Sequence, residues 1–278
     1  MTPLAVHLAR LKDRLKFTDT PGLDAQVLLA HILGVDRSRV LSHPEAELDH
    51  SQEQALEAAA ARLESGEPLP YVLGEWEFYG MSFHLTPQVL IPRPETELLV
   101  ELAVDWLAGH PDRRSTADIG TGSGCIAVAL AVQVTDLKVM AAELSAPALQ
   151  VAGENILHYR LQDRVGLVQS DLMDALEGPF DLICANLPYI PTETLHSLAV
   201  YQHEPTLALD GGKRGLDLIA RLLKQAPRRL APGGLVLLEI EAPQGVVVSD
   251  LARQAFPGGV IEVVPDLAGH DRVVSILS

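Results

Sequence analysis

A chain of 278 residues, 47% of them hydrophobic, has room for one large domain and a small one with a substantial core. Its formal charge of −16 argues against the broad basic footprint of a nucleic-acid binder, leaves room for a local basic patch, and otherwise reads as solubility. With two cysteines, Cys125 and Cys184, both in apolar contexts, no charged-then-apolar leader and no apolar run of membrane-spanning length, a cytoplasmic chain with buried free thiols is expected.

The first third reads as helix. Leu4, Leu8, Leu11 and Leu15 recur at helical spacing; Leu23, Val27, Leu28, Ile32 and Leu33 form a second stripe that Gly34 stops. Ser51 and Gln54 have capping-box spacing ahead of the Ala-rich segment from Ala55 to Leu63, which Gly66 and Pro68 end. Such short amphipathic helices need one another to bury their faces. Residues 1–70 are therefore expected to form a small bundle, which serves either to dock a substrate or simply to pack.

From Tyr71 the pattern changes. Glu75-Trp76-Glu77-Phe78-Tyr79 alternates, Gly80 interrupts, and Met81 to Leu85 resumes, which predicts a β-hairpin within a linker spanning 71–95. Ile91-Pro92-Arg93-Pro94 is stiff and extended, because its prolines forbid helix before Pro94. Arg93 between them is read either as a solvated linker charge or as a group with a fixed partner. On the second reading it joins the substrate-binding residues.

Strands and helices alternate through 96–278. A helix carries Leu98, Leu99, Leu102 and Trp106, and strands are predicted at 116–119, 138–142, 165–169, 180–185, 235–240, 260–264 and 272–277. This is the pattern of a doubly wound α/β sheet. The loop from Pro265 to Asp271 is too short for a crossover helix, so the last two strands should pair antiparallel. A Rossmann-like seven-stranded sheet with its last strand antiparallel is similar to the class I S-adenosylmethionine-dependent methyltransferase fold.

The loop Asp118-Ile119-Gly120-Thr121-Gly122-Ser123-Gly124 lies between the first of these strands and a helix expected to start near Ser123. Its glycines permit a tight turn and close approach of a ligand. Nicotinamide and flavin enzymes also carry glycine-rich loops. The G-x-G-x-G spacing and the acid Asp118, placed to bind the amino-acid end of the donor directly or through water, favour S-adenosylmethionine. Glu143 ends the second strand, where it can accept both hydrogen bonds of a ribose diol, as acids do in nucleotide dehydrogenases too. At the end of the third strand Leu172 can cover an adenine face. Asp171 is read equally as an acceptor for the adenine amine or as the cap of a following helix.

The apolar run Phe180 to Ala185 is the fourth strand, and Asn186-Leu187-Pro188-Tyr189 follows it. Open α/β sheets bind ligands at the carboxyl ends of their strands, so this turn should face a crevice. A carboxamide nitrogen is a very poor nucleophile. To attack a sulfonium methyl it must be held in line, with its two N–H groups engaged by acceptors. The Asn186 side-chain oxygen offers one acceptor and the Leu187 carbonyl, fixed by Pro188, offers another. Tyr189 can pack on the flat amide. Such a site works by proximity and electrostatics rather than by a strong base, and the turn itself contains none.

Taken together, these motifs resemble the HemK/PrmC proteins, the glutamine-N5 methyltransferases of peptide chain release factors. The resemblance spans essentially the full length. It rests on Glu77-Phe78-Tyr79-Gly80, on Leu90 to Glu97, on the Asp118 to Gly124 loop and on the Asn186 turn. Glu204-Pro205, Ala208-Leu209, Gly211-Gly212 and the stretch Asp266 to Arg272 add to it. It implies a helical amino-terminal domain, a hairpin linker and a Rossmann-like catalytic domain. It also implies methyl transfer from S-adenosylmethionine, leaving S-adenosylhomocysteine, to the glutamine of the Gly-Gly-Gln loop of class 1 release factors. A monomer that binds neither nucleic acid nor membrane is expected.

Three positions depart from that family. Leu187 stands where the turn usually has its first proline; it still precedes Pro188 and so stays biased toward extended backbone. Glu143 stands where Asp is commoner, and its longer arm still spans a diol. Glu241-Ala242 follows the fifth strand, where glycine is commoner. Rival classes are an adenine-N6 methyltransferase acting on nucleic acid, opposed by the charge, and a nicotinamide-dependent oxidoreductase, opposed by the glycine spacing and the turn. A catalytically silent binding module, suggested by Leu187, is the third. The ten histidines show no metal-ligand spacing, so no metal is expected.

Overall fold

A computed structural model describes residues 2–278 and divides the chain into two units, Met1–Glu75 and Trp76–Ser278. In the first unit, helices α1 (Leu4–Arg14), α2 (Pro21–Leu33), α3 (Arg37–Ser42), α4 (His50–Glu64) and α5 (Leu69–Leu73) bury one core. Leu4, Leu11 and Leu15 share it with Leu28, Leu29, Leu56 and Leu63, as the helical spacing requires. Gly34 closes α2 in the left-handed region at a φ of 64°. The predicted cap of α4 shifts. Asp49, not Ser51, accepts from the Gln52 N–H at 2.8 Å, and Gln52 returns a bond to the Asp49 N–H. Ser51 sits inside the first turn and donates its own hydroxyl to Asp49, so the carboxylate takes the cap.

The second unit opens with the hairpin β1 (Glu75–Phe78) and β2 (Met81–His84). Tyr79 and Gly80 at its tip both take positive φ, the geometry of a tight primed turn. Phe78 and Phe83 are buried in the core of the sheet unit. The proline-stiffened strap follows, ends in a 3-10 turn at Pro94–Thr96, and leads into α6 (Glu97–Gly109).

Seven strands then form one sheet. They are β3 (Ser115–Ile119), β4 (Lys138–Glu143), β5 (Val165–Gln169), β6 (Phe180–Ala185), β7 (Leu230–Glu239), β8 (Val260–Pro265) and β9 (Asp271–Leu277). Their spatial order is β5-β4-β3-β6-β7-β9-β8, parallel except for β9, which runs antiparallel to both its neighbours. The connections carry α7 (Cys125–Gln133), α8 (Ala146–His158), α9 (Thr192–Leu195), α10 (Asp217–Gln225) and α11 (Gly245–Ala255). Strand alternation divides the core: Leu182 and Cys184 of β6 face one apolar cluster, Ile183 and Ala185 the other. Both cysteines are free and buried.

The chain runs outward from β3 to β5, then returns to lay β6 against the other side of β3. That reversal opens a crevice between the carboxyl ends of β3 and β6. Ile119 is in register with Ala185, so the glycine loop and the Asn186 turn leave the sheet side by side.

Candidate active site

Backbone geometry explains the glycine loop. Gly120, Gly122 and Gly124 all take positive φ, which side-chain-bearing residues rarely adopt. Gly124 caps α7, which begins at Cys125, two residues past the expected Ser123. A cavity of about 700 Å³ lies over the loop. Gly120, Gly122, Glu143, Asp171, Leu172, Asn186, Leu187 and Pro188 line it, so the structure brings most of the expected residues together. Ile119 instead packs wholly in the core, and Asp118 and Thr121 are buried and do not line the cavity.

Asp118 is fully buried and accepts the Thr121 hydroxyl on Oδ2, while its Oδ1 has no partner among the described residues. Burial lifts its pKa to about 7 against the pull of the Thr121 hydroxyl and the Ala127 amide, and the nearby Glu143 charge adds to the rise. Glu143 is held at both oxygens: Oε2 accepts the Gly122 N–H at 3.0 Å and Oε1 the Ser145 N–H at 2.9 Å. Each oxygen keeps a second lone pair for a diol. Asp171 caps no helix, since residues 172–175 form turns. It pairs with Arg221 at 2.7 Å on the cavity wall. Leu172 is buried there at a φ of 50°, a strained conformation for a branched side chain.

Neighbouring segments fix the Asn186 turn. Asn186 Nδ2 donates to Thr96 Oγ1 at 3.0 Å. This leaves Oδ1 without a partner among the described residues. Leu187 is buried and packs on Gly120. Ile190 bridges Asp210 in a parallel pair, and a Cβ at Gly211 would lie 2.6 Å from the Pro188 oxygen, so only glycine admits this approach. Gln244 Nε2 donates to the Tyr189 carbonyl at 3.0 Å and to that of Gly215 at 3.2 Å. Glu241, unexplained in the sequence, forms a reciprocal cap with Gln244 and so aims that side chain. Arg93 does have a fixed partner, the buried Glu204, which also accepts the Ile91 N–H at 3.0 Å. The pair anchors the strap that carries Thr96.

Comparison with known proteins agrees with this geometry. The PrmC N-terminal domain matches residues 7–74 and the methyltransferase small domain residues 95–202. A release factor glutamine methyltransferase of Rhodopirellula baltica is 40% identical over 270 residues, covering 95% of this chain and 91% of the relative. One of Moorella thermoacetica is 43% identical over 256 residues, covering 91% and 90%. The chain belongs to the release factor glutamine methyltransferase family. The fold is shared more widely. The N-terminal domain of human METTL16 in complex with SAH superposes with a TM-score of 0.52 at 19% identity, over 84% of this chain and 85% of that one. Class I methyltransferase architecture, with β9 reversed, is therefore the architecture of this sheet.

Sequence reading missed Thr96 and Gln244, which hold the turn, and passed over a buried acid in the strand next to β6. That acid, Glu239 at the end of β7, is 1% exposed, and neither oxygen has a hydrogen-bond partner among the described residues. Burial raises its pKa to about 7, opposed by the Thr96 hydroxyl, Arg272 and the Tyr189 hydroxyl and reinforced by Glu95. Burial also raises the Tyr189 pKa, and the Glu239 charge adds to that rise. The signal in the sequence was an acid inside an otherwise apolar strand, Leu235 to Ile240.

Proposed function

We propose that this methyltransferase transfers a methyl group from S-adenosylmethionine to the side-chain amide nitrogen of the glutamine in the Gly-Gly-Gln loop of class 1 release factors. The observation that carries the reading is the Asn186 carboxamide. Its N–H is tied to Thr96 and its oxygen has no partner among the described residues, at the edge of a cavity that begins on the glycine loop. An acceptor so held suits a substrate that presents N–H groups.

The residues fit the donor. The orphaned, buried Asp118 Oδ1 suits a cationic amino-acid end, reached directly or through water. Glu143, locked by two backbone N–H groups, suits a ribose diol, and Leu172 and Asp171 border the space for a purine. S-adenosylmethionine supplies an electrophilic methyl on a positively charged sulfur. Transfer would form the nitrogen–carbon bond as the sulfur–carbon bond breaks, sulfur keeping the electron pair and solvent water taking the surplus proton of the amide nitrogen. The Asn186 oxygen and the Leu187 carbonyl hold the two N–H groups of the glutamine, and Tyr189 packs on its amide plane. Arg93 stiffens the strap beside them. The helical unit is assigned the docking of the release factor body, and the enzyme is taken to act as a cytoplasmic monomer without nucleic acid. The relatives' names favour a protein amide over the adenine amine that a similar turn serves in DNA methyltransferases.

The test is transfer of labelled methyl to a release factor and to its Gly-Gly-Gln→Gly-Gly-Ala variant. Labelling of the first alone is expected. Equal labelling of both would sink the reading.

A further inference from the structure

The turn that follows β5 holds a conformation that its own sequence disfavours. Leu172 sits at a φ of 50°, in the left-handed region, which a leucine rarely adopts. A residue with a side chain stays there only where its surroundings over-determine the backbone. Leu172 is buried and forms part of the cavity wall, so the strain lies at the site itself.

The restraints on either side of Leu172 come from one helix. Before it, Asp171 Oδ2 accepts from Arg221 Nη2 at 2.7 Å. After it, the Met173 N–H donates to Gln225 Oε1 at 3.0 Å, and Gln225 Nε2 donates to Asp174 Oδ1 at 2.8 Å. Arg221 and Gln225 stand at i and i+4 on α10 and therefore share one face. A carboxamide engaged at both its oxygen and its nitrogen has a single orientation, so the Gln225 grip is directional. Gln225 does not line the cavity and can act on it only through the turn. The half-exposed Arg221–Asp171 pair adds little stability. What it does is assign the carboxylate: Oδ2 is taken, and Oδ1, which has no partner among the described residues, is left for a ligand N–H.

We propose that Arg221 and Gln225 are positioning residues that clamp the Asp171–Asp174 turn, hold Leu172 in its left-handed conformation, and so shape a purine subsite that selects for an exocyclic amine. The inference rests on the reading of the cavity as the S-adenosylmethionine site. Leu172 offers an apolar surface to a planar ring. A carboxylate paired with a guanidinium only accepts. Asp171 therefore favours the 6-amino group of adenine and opposes the 6-oxo group of hypoxanthine, where two acceptors would meet. Releasing either grip lets the turn relax to ordinary backbone and takes Leu172 and Asp171 out of place together. Neither Arg221 nor Gln225 takes part in the bond changes of methyl transfer.

The experiment is calorimetric binding of S-adenosylhomocysteine and S-inosylhomocysteine, with melting temperatures alongside. It compares the wild type, Arg221→Met, Gln225→Ala, Gln225→Glu, and Gln225→Glu combined with Asp174→Asn. The wild type should bind the adenine compound at least about tenfold more tightly, the worth of one hydrogen bond to a charged acceptor. Arg221→Met and Gln225→Ala should each cut that preference about fivefold, chiefly by weakening the adenine compound. Gln225→Glu sets a second carboxylate against Asp174 and should behave like Gln225→Ala. Adding Asp174→Asn reverses the bond, the introduced amide donating to the introduced carboxylate. Affinity and preference should then return to within about twofold of wild type. Variants that melt lower but keep the wild-type preference overturn the proposal, since a clamp that only stabilises the fold would do that. An equal loss for both compounds overturns it too, as does a double variant no better than Gln225→Glu alone. If Gln225→Ala fails to fold, Arg221→Met and the Gln225→Glu pair decide. A wild type that binds neither compound defeats the donor reading, and the subsite falls with it; a wild type that binds both equally defeats only the subsite.

Discussion

Leu187 packs directly on Gly120: a Cβ at Gly120 would sit 3.0 Å from Leu187 Cδ2, and Gly120 takes a φ of +74°. The residue that replaces the family's usual proline therefore fills the gap between donor loop and acceptor turn. Gly120→Ala should cost about 1–3 kcal/mol of stability from the positive φ alone and weaken donor binding as the loop shifts. Leu187→Pro should leave kcat within a factor of about ten. Asn186 is held by Thr96 and Tyr189 by Gln244 whatever stands at 187. A gain of several orders of magnitude at unchanged donor affinity would show that the native turn lacks stiffness.

Glu143 is fixed by Gly122 and Ser145 before any ligand arrives. Glu143→Gln keeps the shape but turns an NH₂ group toward one of those N–H donors. One backbone donor loses its acceptor and the diol loses part of its own. Donor binding should weaken by about 1–3 kcal/mol, with kcat at saturating donor nearly unchanged. Calorimetry beside steady-state kinetics separates the two.

Asp118, assigned above to the cationic end of the donor, is expected to make donor binding depend on pH. Its pKa in the fold, about 7, lies above its usual 3.8, so the folded protein keeps the proton to higher pH than the unfolded chain. The stability this lends is complete below 3.8 and lost as pH rises toward 7. Glu239 adds a slope of the same sign between 4.5 and about 7. A cationic ligand end reverses the preference, because it needs the ionised acid. Donor affinity should rise with pH up to about 7 while the melting temperature of the free protein falls, and Asp118→Asn should flatten the affinity curve.

Arg93 and Glu204 pair across the strap, with side chains 33% and 4% exposed. Arg93→Gln leaves the carboxylate with the Ile91 N–H and one weaker donor. A loss of about 1–3 kcal/mol is expected, together with lower kcat, because Thr96 lies three residues along the same strap. A raised KM for the release factor with an unchanged melting temperature would instead mark Arg93 as a direct substrate contact.

Much of the architecture was legible. The strands are short apolar runs bounded by turn residues, and the short loop before β9 dictated its reversal. The glycine loop and the Asn186 turn carry their chemistry in adjacent residues. What was hidden depends on register. Nothing near Asn186 in sequence points to Glu239 or Thr96; the parallel pairing of β6 with β7 and the path of the strap bring them there. The turn has no acid of its own, and the one in the neighbouring strand becomes its neighbour only through strand pairing. The α4 cap was misread because Asp49-x-x-Gln52 and Ser51-x-x-Gln54 overlap, and the helix starts at His50, which puts Ser51 inside its first turn. Glu241 looked anomalous because its role is to aim Gln244, a side chain with no signature of its own.

The clasp around Asn186 to Tyr189 has a thermal consequence. Thr96, Gly211, Gly215 and Gln244 come from stretches far apart in the chain, and two of them belong to the segment 190–216. That segment holds one four-residue helix and short 3-10 turns, and no strand of the main sheet. Opening it costs less free energy than melting the sheet. On gentle warming, methyl transfer should therefore fade while circular dichroism still reports a native fold, and return on cooling.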